Sequence, residues 1–449
     1  MTTLEGQAQE KPKEKLFNFN FSVLWTGQFI RCFGDQFFSI ALMLWVKQAT
    51  DSATLMGMIM MVSTLPGVLL GPLGGAASDR YSRRRIILWS SFMVGVSVLL
   101  LALAMYIVPE KTELAIVFLF ITSTAIAIGN AFFSPAIAAS IPDLVPESRV
   151  ANANSMAQLS YQLSVFVGQG GGGVLFRVLG APLLFLINAI AYFVAMISAA
   201  LISIPQQVPE KVKTFKETLQ VFWQDTLEGL RYVRDQAGLR ELVLLSALQN
   251  FFFVPIILLF PFYIEDVLLL TEDWYGFILA VYGSGAVAGY LLAGVIQVSA
   301  RKRSIIIISF LIVESLGYIF LGMARTSTTA MILSFIGGAV TGVVQVYIFT
   351  LLQISTPGTI RGRVFGLLST IAGSITPIAM GLTGVIADLL DQNIPVIYAA
   401  CGVILFGIAS VMSLRPDFRA YLAYEVPTEG KVEAPKDEEM DTEEGEVEE

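Results

Sequence analysis

The sequence contains no histidine and only two cysteines among its 449 residues. Without histidine there are no His-ligated metal sites, His-dependent catalytic triads or His proton relays. Any proton carrier has to be a carboxylate. Cys32 and Cys401 both fall inside apolar runs, so no disulfide framework is indicated. No Gly-x-Ser-x-Gly elbow, phosphate loop or C-x-x-C pair occurs, so the reading is of a non-enzyme without cofactors. With no nucleotide-binding domain, any transport has to draw on an ion or substrate gradient.

Charge is scarce as well. Asp, Glu, Lys and Arg make up 14% of the chain against 55% hydrophobic residues, and the mean hydropathy is +0.71. A soluble domain carries about 25% charged residues, so most of this chain has to meet lipid. The formal net charge of -8 is unevenly placed. Residues 425–449 hold twelve acids against Lys431 and Lys436, which leaves a body of +2 with no basic patch for nucleic acid. The segment 415–449 therefore reads as a disordered acidic tail.

What is abundant is long apolar sequence. About 20 apolar residues cross a bilayer as helix. Twelve such windows lie near 20–46, 54–77, 86–107, 114–138, 151–175, 182–204, 240–264, 274–298, 304–323, 329–353, 364–388 and 395–414. The charged segment 1–19 leads into the first window with no small-residue cleavage site, so that window reads as a membrane helix rather than a removable leader. With both termini cytoplasmic, internal segments hold 23 of the 28 Lys and Arg. Lys47, Lys111, Arg177 and Arg325 fall outside, and Arg31 lies within a span. That bias is the positive-inside pattern. The connection 205–239 carries an amphipathic helical stripe from Phe215 onward and separates bundles 20–204 and 240–414.

The two halves resemble each other. A shift of 219 residues sets Gly57 on Gly276, Gly75 on Gly294 and Arg84 on Arg303. A shift of 214 sets Arg149 on Arg363, Ser160 on Ser374 and Gly170 on Gly384. Such a repeat predicts an all-α membrane protein of twelve transmembrane helices in two pseudo-symmetric six-helix bundles, with a site at the midplane between them.

Between the second and third windows stands Gly71-Pro-Leu-Gly-Gly75-Ala-Ala-Ser-Asp79-Arg80-Tyr-Ser-Arg83-Arg84-Arg85. This resembles the G-x-x-x-D-R-x-x-R-[KR] signature of the major facilitator superfamily. Gly71 and Gly75 form a small-xxx-small pair suited to close helix approach. Asp79, with Arg80, Arg83 and Arg84, suits a conformational latch, while the basic residues also fix topology. Val298 stands where the second half would repeat the acid. Trp25-Thr-Gly-Gln28, Gly34-Asp35, Gly129-Asn-Ala-Phe-Phe-Ser-Pro135 and the stretch 227–240 are similar to macrolide-efflux-like drug exporters, a branch that includes siderophore exporters. In the fifth window Gly168, Gly172 and Gly173 match that family's glycine motif, with Gln169 where its exporters carry proline.

Deep charges are few. Arg31 and Asp35 are four residues apart, on one helical face with Gln28, and can pair. Asp35 reads as the proton-binding carboxylate, set against the alternative of a permanently ionised structural pair. Glu314 is the other candidate, on a span that is usually peripheral in this fold. The resemblance implies a central cavity lined by the first, fourth, seventh and tenth spans. That puts Gln28, Asp35, Asn130, Ser134, Gln249, Asn250, Thr341 and Gln345 at a substrate site.

The resulting expectation is a monomeric, proton-coupled exporter of small amphipathic molecules in a bacterial-type plasma membrane. A dedicated siderophore or lysophospholipid exporter, or a non-transporting receptor on the same scaffold, are the alternatives.

Overall fold

The computed structural model describes residues 16–206, 215–295 and 298–425. The expectations for the first fifteen residues and for the tail from 426 onward lie outside them. Among the described residues the chain is helical without strands. The first half comprises α1 (Phe19–Thr50), α2 (Ala53–Arg80), α3 (Arg83–Ile107), α4 (Thr112–Leu144) and α5 (Val150–Leu201). Helix α6 (Phe215–Asp235) bridges to the second half. There follow α7 (Ala237–Leu258), a single turn α8 (Phe260–Phe262), α9 (Asp273–Val295), α10 (Ala300–Met323), α11 (Ser327–Ser355), α12 (Gly358–Leu389) and α13 (Ile394–Leu414).

Eleven helices are long and apolar enough to cross a membrane, and α5 counts twice. Its 52 residues would form a rod of about 78 Å, over twice the hydrocarbon thickness of about 30 Å. The chain turns at Gly180, whose φ of 72° and ψ of 166° leave the helical region, with Pro182 just beyond. Only glycine takes that conformation without strain. Packing on α1 confirms the reversal. Trp25 bonds Ser160 and Ile40 packs on Gly172, so the first limb runs parallel to α1. Gly27 lies against Ser198 and Gly34 against Asn188, so the second limb runs antiparallel. The twelve spans are therefore all present.

The repeat is visible as one contact made twice. Gly57 of α2 lies against the backbone of Met380 and Gly384 on α12, with no room for a Cβ. Gly276 of α9 lies in the same way against Gly170 and Gln169 on α5. These four glycines are the pairs that the sequence shifts set on one another.

The two halves meet unequally along their length. At the end away from the termini they share one apolar core, in which Met43, Leu44 and Val46 join Phe260, Phe262 and Tyr275. At the termini end the apolar clusters belong to one half each. Along α12, Gly381 packs on Met61 and Gly373 on Val68, but side chains added at Gly366 and Gly362 would meet nothing within 4 Å. The halves thus close at the far end and part toward the termini.

One sequence expectation is corrected. Residues 415–425 do not begin a disordered tail, because α14 (Pro416–Leu422) buries Phe418 and Leu422 and Tyr421 packs on Gly238 of α7. Two apolar side chains at i and i+4 suffice to dock it, a stripe that the flanking acids mask in composition. The bridging helix α6 is anchored through Val233, which is buried in the second half's core.

Candidate functional site

At the middle of the first half, Arg31 is the hub of a polar cluster. Its Nη1 donates to Asp35 Oδ2 at 2.9 Å, to Asn130 Oδ1 at 3.1 Å and to Tyr192 Oη at 3.5 Å, while Nε donates to Gln28 Oε1 at 3.2 Å. The Phe133 ring lies 4.2 Å from the guanidinium carbon, close enough for a cation–π contact. Helical spacing puts Gln28, Arg31 and Asp35 on one face of α1, and α4 supplies Asn130 and Phe133. The positive charge is met by a carboxylate, three neutral oxygens and a ring. Ser134 is exposed and takes no part.

The middle of the second half is hollow. A cavity of about 490 Å³ lies among α7, α9, α10, α11 and α12. Gln249 and Asn250 of α7 and Thr341 and Gln345 of α11 line it. Phe253, Tyr282, Phe349 and Phe365 give it aromatic walls. Gln28, Asp35, Asn130 and Ser134 do not line it. Of the residues assigned to one site, those of α1 with Asn130 gather in an ion cluster, and those of α7 and α11 line a cavity.

Glu314 of α10 reaches the cavity wall from a span that packs on second-half helices α11, α13 and the short C-terminal α14. Its side chain accepts from Gln249 Nε2 at 2.5 Å and from Tyr318 Oη at 2.9 Å. Tyr318 is four residues on, a spacing that could have flagged the pair. Tyr282, also missed, donates to Thr341 Oγ1 at 3.3 Å from the adjoining helix.

The signature residues lie at the termini end. Arg83 pairs with Asp143 and donates to the Ala139 carbonyl at 2.8 Å, tying the start of α3 to the end of α4. Arg84 donates to the carbonyls of Ala199 and Ala200, where a cation meets the negative end of the second α5 limb. Asp143 was not singled out by the sequence reading. Asp79 is exposed. Side chains at Gly71 and Gly75 would meet nothing within 4 Å, and the close approach is made instead by Gly74 on Ala131. In the fifth span Gly168 and Gly172 receive Gln36 and Ile40 of α1, and Gly173 receives the start of α9. The glycine run lets one helix be pressed from two sides.

The closed end is fastened by polar contacts between the halves. Lys47, 5% exposed, pairs with its own Asp51 and with Asp266 at 2.8 Å, under the Phe262 ring. Asp388 of α12 accepts from the Ala53 and Thr54 amides at 3.0 and 2.8 Å, so it caps α2 from the other half. Gln48 bonds Glu272 and Arg177 pairs with Asp273.

Two bundles closed at one end, with a cavity open toward the other, are the form of an alternating-access carrier. The transmembrane secretion effector family matches residues 15–448. The chain belongs to this family, within the major facilitator superfamily. Macrolide efflux protein A of Streptococcus pyogenes is 24% identical over 380 residues, covering 83% of this chain and 90% of that one. The multidrug efflux pump Tap of Mycolicibacterium fortuitum is 24% identical over 386 residues, covering 82% and 90%. A crystal structure of a bacterial homologue of the iron transporter ferroportin, in an inward-facing state, superposes with a TM-score of 0.67 at 15% identity, covering 88% of this chain and 99% of that one. As a secretion-effector family member the protein is a multi-pass membrane transporter with efflux-related relatives, and not an enzyme.

Proposed function

We infer that the protein exports small amphipathic molecules in exchange for protons, from a cytoplasmic side that carries both termini. One observation carries this reading. The 490 Å³ cavity combines aromatic and aliphatic walls with a few amides and hydroxyls and one buried carboxylate, the lining that amphipathic ligands need. The arginine-rich loops lie at the open end, so the positive-inside bias makes this conformation cytoplasm-facing. The efflux activity named for the two relatives agrees with that direction.

Protons are exchanged at Glu314. Its partners Gln249 and Tyr318 are neutral, so protonation strands no cation in the membrane. Asp35 has a different part. Neutralising it would leave Arg31 short of its counter-charge, so the pair couples ionisation to the seating of α1 against α4. The signature residues Gly71, Gly75 and Asp79 act when the open end closes. Gly75 lies eighteen residues from Gly57, five turns of an ideal helix, which assigns it to the helix face that Gly57 turns to α12.

The test is proton-driven efflux from proteoliposomes, with erythromycin and ethidium as probes and an imposed pH gradient. Wild-type protein should move at least one probe only with the gradient present. Binding of the probes with no flux at any gradient would favour a receptor and remove the export reading.

A further inference from the structure

Glu314 is 7% exposed, yet it borders the large cavity and two smaller voids of the second half. Its oxygens have one neutral donor each, Gln249 and Tyr318. The titratable groups facing this neighbourhood are Tyr282 of α9, Tyr318 of its own helix and Cys401 of α13, and none of them carries positive charge at neutral pH. From α7 and α11 come only the amides and hydroxyl already named. Among the described residues no Lys or Arg pairs with Glu314, whereas Asp35 has Arg31. The midplane charges of the first half cancel, and the second half keeps one unmatched carboxylate.

A buried carboxylate is stable only when neutralised or paired. A bound proton satisfies it in one state of the cycle. A hard metal ion is a poor second choice, because it requires six or more oxygens in a shell. Here the cavity walls include Phe253, Tyr282, Val344 and Phe349. Those rings favour a cation that carries its own apolar body, through contact area and cation–π attraction.

We propose that the second-half cavity is a binding site for lipophilic organic monocations, such as amines with an apolar body, with Glu314 as the ion-pair partner. The proposal rests on the export reading and narrows its substrate class. Proton and substrate then compete for one carboxylate. Loading the cation from the cytoplasm expels the proton, and protonation from outside expels the cation. No covalent step is involved, and one positive charge replaces another.

The isosteric ions tetraphenylphosphonium and tetraphenylborate test this on the purified full-length protein, by equilibrium dialysis in detergent. The phosphonium should bind the wild type, more tightly at pH 8 than at pH 5. Glu314→Gln should weaken it about tenfold or more and flatten the pH dependence. Glu314→Asp, which keeps the charge, should retain most of the binding. Equal binding of the borate by wild-type protein overturns the proposal and requires no variant. So does unchanged phosphonium binding in a Glu314→Gln protein whose thermal unfolding is normal. Proton-driven efflux of erythromycin or ethidium that Glu314→Gln leaves unchanged, with no phosphonium binding by the wild type, would overturn it and leave export standing. Charge-selective binding without any flux would remove export and leave the site.

Discussion

The two halves repeat one helix arrangement and use its centre in opposite ways. In the first half the middle is filled, with Arg31 bound by Asp35, Asn130, Gln28 and the Phe133 ring. In the second half the equivalent region is a cavity, and its carboxylate, Glu314, has only neutral partners. A duplicated fold thus fixes where helices cross without fixing the chemistry between them. The self-contained ion pair suits a piece that keeps its shape, and the unmatched charge suits a piece that takes a ligand.

The sharpest way to break this comparison is to remove one partner from the filled centre. Arg31→Ala leaves Asp35 buried and unpaired and should destabilise the protein by about 3–5 kcal/mol. Arg31→Met with Asp35→Leu should recover most of that loss, as read by thermal unfolding of the two variants. Equal damage from both would show that the ion pair itself adds net stability, beyond each charge neutralising the other.

Next in size is the effect on transport. Glu314→Gln should lower proton-driven efflux by about tenfold or more, with stability changed by under about 1 kcal/mol. Asp35→Asn, which can still accept from Arg31, should lose less. If the Asp35 variant loses as much flux as the Glu314 variant, the division of roles is wrong.

The repeated contact gives a third measurement. Gly57→Ala and Gly276→Ala each drive a methyl into backbone at the same kind of crossing. Each should cost about 1–3 kcal/mol, and the two costs should agree closely. A large difference would mean that the pseudo-symmetric interfaces are not energetically equivalent.

Smallest is the effect of the closed end. Asp388→Asn keeps an acceptor for the α2 amides but loses its charge, and should cost about 0.5–1 kcal/mol of closure. Faster labelling of a thiol placed at Thr54 would report it. An unchanged rate would leave the apolar core of Met43, Phe260 and Tyr275 as the fastening.

Hydropathy made the architecture legible, because twenty-residue apolar windows and loop arginines are read directly from the chain. The glycine repeat held for a physical reason: only glycine lets two backbones touch at Gly57 and Gly276. Facing was much less legible. Helix α10 is apolar on every side, so no stripe marks the side that carries Glu314 as inward. The split of the expected cavity was hidden for the same reason. Residues such as Gln28 and Gln249 look alike in sequence, and only the surrounding volume tells a filled centre from a hollow one. Asp143 and Asp388 were passed over because acids near helix ends usually belong to the solvated rim.

Asp388 also bears on how the closed end opens. The first amides of α2 have no acceptor within their own helix, and a carboxylate on the opposite bundle supplies it. Separating the bundles there exchanges that carboxylate for water at every stroke. Opening of the closed end is therefore a wetting event as much as a mechanical one. Its rate should follow the activity of water in the surrounding medium, and concentrated osmolytes at that face should slow the cycle without touching the substrate.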